Sequence, residues 1–217
     1  MTDGPFVFLG CLELREILAA EARDERELLE QLHQVPDECV FSHLSGVLLH
    51  RAVLPEEYPN DFALWAAIEL RDLRLAERLA LVDLFDAGSV EAARNELVAI
   101  IEDHLRHRPP AAAAGPGQPF TFVQAHVIPV PTGHRARTLR EFRDALAEVD
   151  ASAFFFHLIE ARYRLGRGQG DFAEWIATSA GQPALAESLA RIDPHVGSLE
   201  RLRDRHLILL DAALAGC

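Results

Sequence analysis

Asp61-Phe-Ala-Leu-Trp65 and Asp171-Phe-Ala-Glu-Trp175 are one motif met twice, 110 residues apart. Working outward from that pair, Asp61–Asp83 laid over Asp171–Asp193 gives 11 identities in 23 positions, including Leu-Ala-Glu-x-Leu-Ala at Leu75–Ala80 and Leu185–Ala190. Upstream the offset becomes 114, and Pro5–His43 over Pro119–His157 shares 11 of 39 positions without a gap, among them Phe6, Phe8, Arg23, Arg26, Phe41 and His43. Downstream, Ser89 lies over Ser198 and Glu91 over Glu200. Ordered blocks separated by short deletions mark an internal duplication. The expected organisation is a first module at 1–108, a Pro/Ala/Gly linker at 109–118 and a second module at 119–217.

Each module reads in the same order. Phe6 and Phe8, like Phe120 and Phe122, open a period-two run, continued in the second module by β-branched residues from Val123. This predicts one short strand per module, confined to an edge or ended by Pro129 and Pro131 and followed by a turn at Thr132-Gly133. Asp24 with Glu27, and Thr138 with Glu141, then set a capping residue three positions before a carboxylate, the start of a helix. Its apolar stripe is Leu28, Leu32 and Val35 in one module and Phe142, Leu146 and Val149 in the other. A helix carrying His43 or His157 follows. The next begins near Asp61 or Asp171, read as N-caps that set Phe and Trp on one face. A Leu-Ala-Glu-x-Leu-Ala helix and a closing helix capped by Ser89 or Ser198 complete the module. The fold class is mainly α with short β-strands (α+β), a pseudo-two-fold tandem repeat of one helical module.

Composition narrows the function. The 217 residues include 21 arginines, no lysine, 34 acidic groups and 10 histidines, a formal net charge of −13. Phosphate neutralisation needs a basic surface, so no nucleic acid is expected as partner. No apolar run approaches the ~20 residues of a membrane span, and the first residues lack the basic and apolar regions of a secretory signal. Cys11, Cys39 and Cys217 cannot all pair and show no CxxC spacing, which points to reduced thiols in a cytoplasmic protein. Charge is lopsided: the first 118 residues hold 10 arginines against 22 acids, the remainder 11 against 12. Such asymmetry suits orienting a partner or self-association.

Phe-x-Phe, the stretch Pro131-Thr-Gly-His-Arg-Ala-Arg-Thr-Leu-Arg-Glu141, Phe-x-His and Asp-Phe-x-x-Trp together resemble the prokaryotic family called domain of unknown function 5752. The resemblance covers nearly the whole chain and implies no established activity. The half-unit is also similar to a small helical module appended to other prokaryotic proteins, and a link to glycan-handling enzymes is a hint about partners only. In the first module Ile17-Leu18-Ala19 replaces Pro-Thr-Gly, so any role of that loop belongs to the second module.

Three sets of residues could carry function. His43 and His157 sit at equivalent positions in apolar stretches. They are either core histidines bonded to a nearby Asp or Trp, or a converging pair able to hold a ligand or metal. No His-x-x-x-His spacing adds ligands, so no metal and no cofactor are expected. Asp61, Trp65, Asp171 and Trp175 form a structural motif, with an aromatic platform for sugar as the other reading. His134, Arg135, Arg137 and Arg140 concentrate positive charge before a helix N-terminus, where an anion is favoured, although an ordinary solvated loop explains the same residues. Arg137 and Arg140 recur as Arg23 and Arg26, whereas His134 and Arg135 do not. Arg162, Arg164 and Arg167 lie in a Gly-containing segment without Walker A spacing, and Glu56-Glu57 is a carboxylate pair in a surface-like context. No nucleophile elbow or acid–base constellation appears. The expected function is a non-enzymatic cytoplasmic binding, adaptor or regulatory protein. The alternative is a protein or enzyme that takes a phosphorylated or acidic small molecule at the arginine-rich loop.

Overall fold

The computed structural model describes residues 4–50, 58–107, 117–164, 169–193 and 198–216. Most of the expected linker, Glu56-Glu57, Arg167 and Cys217 lie outside the described residues. Strand β1 (Phe6–Ala22) is followed by α1 (Glu25–Leu32), α2 (Asp37–His50), α3 (Asp61–Ile68), α4 (Leu73–Leu79), α5 (Leu84–Ala87) and α6 (Val90–His107). Strand β2 (Phe120–Ala136) precedes α7 (Leu139–Glu148) and α8 (Ala151–Phe154), which runs on as a π-helical segment, Phe155–Arg164. Helices α9 (Asp171–Thr178), α10 (Pro183–Ala190) and α11 (Leu199–Ala215) close the chain. This is a mainly α protein with a little β structure, and no helix among the described residues is long and apolar enough to cross a membrane.

Both strands run to 17 residues and pair as a two-stranded antiparallel sheet. β2 passes through Pro129, Pro131 and Thr132-Gly133, where the sequence suggested an end and a turn. In a two-stranded ribbon every other backbone N–H faces away from the partner strand, and the Val123 amide is one of these. Alternation places Pro129 and Pro131 in the same outward set, where a missing N–H breaks no ladder bond. Gly133 adopts φ +85° and bends the strand without ending it.

Two compact units form, Met1–Glu13 with Val127–Cys217 and Leu14–His126, and their division runs through both strands. Antiparallel pairing accounts for this, because it sets the start of β1 beside the end of β2. In the first unit the rings of Phe6 and Phe8 pack on Phe142 and Phe172 of the helical layer. In the second unit Phe120 stacks on Phe62 at 5.1 Å and meets Trp65 edge-on. Residues at the front of the chain therefore complete a core whose helices lie beyond residue 136, crossing the sequence division at 109–118.

Local signals set the helix starts. Asp24 accepts from the Arg26 and Glu27 amides, Thr138 and Glu141 form a full capping box, and Ser198 accepts from Arg201 N. The stripes Leu28/Leu32/Val35 and Phe142/Leu146/Val149 are buried. In the second unit α1, α2, α4 and α5 pack on α6; in the first, α7, α8 and α10 pack on α11.

Candidate functional site

The two histidines are built alike and each is satisfied inside its own unit. His157, 3% exposed, sits in the π-helical segment; its Nδ1 lies 2.7 Å from Asp171 Oδ2, and its Nε2 accepts from the Leu9 amide at 2.9 Å. His43, on α2 and also 3% exposed, meets Asp61 Oδ2 at 2.8 Å through Nδ1 and accepts from the Val123 amide at 2.9 Å through Nε2. An acceptor at Nε2 and a carboxylate at Nδ1 define the neutral Nδ1–H tautomer. Each ring thus ties an outward strand amide, which nothing in a two-stranded sheet would otherwise satisfy, to the first turn of a helix. With both nitrogens occupied, neither ring offers a lone pair to a metal, and the two belong to different units.

Asp61 and Asp171 are not N-caps. Asn60 caps α3 through the Ala63 amide, and Gly170 holds the cap position of α9. Gly170 is at φ +84°, and a Cβ there would approach the His157 carbonyl oxygen to 3.1 Å, so the chain passes only as glycine. The carboxylates of Asp61 and Asp171, freed from capping, face the imidazoles. The Trp65 and Trp175 indoles are buried and donate to the backbone oxygens of Gln118 (2.8 Å) and Gly4 (3.3 Å), so neither presents an open ring platform.

The Pro-Thr-Gly stretch lines a cleft of about 400 Å³ in the first unit. Thr132 Oγ1 donates to Phe8 O at 2.7 Å and accepts from His134 N at 3.2 Å, which fixes the wall of the cleft. His134 faces it, with Nδ1 3.8 Å from the Glu148 carboxylate. The lining also includes Asp150, whose carboxyl the Ser152 amide holds below the usual range, and Ser152 itself. Cys11 also lines the cleft; burial, reinforced by the negative charges of Glu160, Glu13 and Asp150, pushes its thiol up to about 12, which disfavours the thiolate.

Of the four expected anion-binding residues, only His134 lines the cleft. Thr132 and His134 are half-buried on the cleft side, whereas Arg135 alternates to the exposed side, and Arg137 and Arg140 are exposed as well. The cleft lining contains two carboxylates and no arginine. Glu148, Asp150 and Ser152, which sequence reasoning missed, come from segments 16 or more residues beyond Thr132, with no shared spacing to reveal them. Arg162 lies 5.5 Å from the Tyr163 ring and is not among the residues that line this cleft.

In each unit, then, a buried histidine ties a strand amide to the first residue of a helix. The chain belongs to the family described as Family of unknown function (DUF5752), whose model matches residues 3–211. Among solved structures it is similar to OrfY from Thermoproteus tenax, at 31% identity and a TM-score of 0.83, over 97% of this chain and 95% of that one. No curated protein matches it.

Proposed function

We propose that the chain is a non-enzymatic binding protein, an adaptor or regulator of another cytoplasmic protein, made of two copies of one module that exchange strand halves. The observation that carries this reading is the apolar surface of the ribbon. In the first unit Val7, Leu12, Ile128 and Val130 stand exposed, and in the second Leu14 and Ile17 do, Ile17 at 73%. Large aliphatic side chains held on regular strands, outside any core, are the surface a partner protein covers. Both clamp histidines are meanwhile doubly bonded, and burial pushes the Cys39 thiol up to about 12 as it does that of Cys11. Free Cys11 and Cys39 agree with a reducing compartment.

The test is low-salt capture of partners from the cells that make the protein, using wild type beside Leu12→Asp and Ile128→Asp. A stoichiometric protein held by wild type and lost by folded variants supports the reading. Wild type recovered alone, or partners retained equally by the variants, overturns it. The cleft motivates a second reading, a small ligand held by His134, Glu148 and Asp150; two carboxylates select a cationic or hydrogen-bond-donating molecule over an acidic one.

A further inference from the structure

In the unit Leu14–His126, three distant segments bring together two carboxylates and an imidazole. Glu25 is the first residue of α1 and only 2% exposed. Asp72 is the N-cap of α4, and His104 lies in the last turn of α6, the helix on which both α1 and α4 pack. One ligand atom from each, a ring nitrogen and two carboxylate oxygens, lie within 4.8 Å of one another.

The geometry of the pair at the centre is not that of a simple Asp–His bond. Asp72 divides its carboxylate: Oδ1 accepts the Leu75 amide, and Oδ2 lies 3.0 Å from His104 Nε2. The His104 side chain is nine-tenths buried, yet its Nε2, although 3.0 Å from that oxygen, makes no hydrogen bond. Two ligand atoms this close without a hydrogen bond between them can both be satisfied by a third body. A buried nitrogen left in this state costs free energy unless something else satisfies it.

We propose that Glu25, Asp72 and His104 bind one divalent transition-metal ion of the zinc type. Two carboxylates neutralise a dication, and the imidazole selects a borderline ion over calcium or magnesium, which prefer all-oxygen shells. Zinc takes His nitrogen and carboxylate oxygen at about 2.0–2.2 Å, and ligand atoms that all lie within 4.8 Å of one another reach one ion by side-chain adjustment, with the fourth position left to water. The aligned positions of the second sequence block are Leu139, Gln182 and Ala213, so all three ligands are absent there together. A fold requirement common to both blocks would not remove the three as a set. The site stands independently of the ribbon-docking reading.

The experiment uses tag-free full-length protein, stripped with a chelator and titrated with Zn2+ by calorimetry, with Mg2+ and Ca2+ as controls. Wild type is expected to take up one equivalent of Zn2+ and to melt at a higher temperature when loaded. His104→Gln and Asp72→Asn, the latter keeping a favoured helix cap, should each weaken binding by more than about a hundredfold, beyond what loss of an outer supporting residue costs. The proposal is overturned by wild type that takes up no stoichiometric Zn2+, or by equal uptake in either folded variant.

Discussion

His157→Ala removes the acceptor of the Leu9 amide and the donor to Asp171 in one step. A hydrogen bond to a charged group contributes about 1.5–3 kcal/mol, and a stranded buried amide costs about 1–3 kcal/mol. The expected loss for the unit, from the bond to the charged group and the stranded amide together, is about 3–5 kcal/mol. Asp61, the partner of His43, is 33% exposed and can rehydrate, so His43→Ala should cost about 1 kcal/mol less than its counterpart. The two bonds can be separated by geometry. Asn at 157 carries an amide nitrogen near the old Nδ1 and keeps the Asp171 contact, whereas Gln reaches the old Nε2 position and keeps the Leu9 contact. Urea unfolding would give the totals, and amide hydrogen exchange at Leu9 and Val123 the local effects. The Leu9 amide should lose protection by about tenfold or more in His157→Ala and His157→Asn, at about 1.4 kcal/mol per decade, with less loss in His157→Gln. Unchanged Leu9 exchange in His157→Ala, or a stability loss below about 0.5 kcal/mol, the range of ordinary surface changes, would refute the clamp.

Phe8→Ala and Phe122→Ala each empty a fully buried ring site and should cost about 3–5 kcal/mol, with exchange rising first in the unit that holds the ring. The Cys11 and Cys39 thiols, both raised to about 12, should resist iodoacetamide at pH 8 in the folded protein and be alkylated at the rate of an ordinary thiol once the chain is denatured; equal rates in the two states would contradict this. His206 is 2% exposed, its Nδ1–H donates to Leu202 O at 2.7 Å, and burial lowers the imidazole from 6.5 to about 4. The unfolded chain therefore takes up this proton first. The contribution of His206 to stability is complete above pH 6.5 and is lost as pH falls from 6.5 through 4, to at most about 3 kcal/mol. His206→Leu should flatten that part of the stability–pH curve; an unaltered slope would contradict it.

Features whose causes lie within one turn of chain are legible in residue order alone. Asp24, Thr138 and Ser198 cap their helices because the amides they satisfy are two or three residues away, and the buried stripes follow from a 3.6-residue period. The recurring Phe-x-Phe, Phe-x-His and Asp-Phe-x-x-Trp motifs marked residues that the structure places in contact, but not what each one does. Asp61 and Asp171 have the residue type and position of a cap, and only the buried imidazoles 18 and 14 residues earlier turn them into partners of histidine. Pro129 and Pro131 resemble strand breakers until antiparallel pairing sets their missing N–H groups on the outward side. Tertiary structure alone decided which half of each strand completes which core, since pairing across more than 100 residues leaves no periodic trace. It also decided the cleft beside His134 and the cluster of Glu25, Asp72 and His104. Their members come from separate elements, and only the packing of helix on helix brings them within reach.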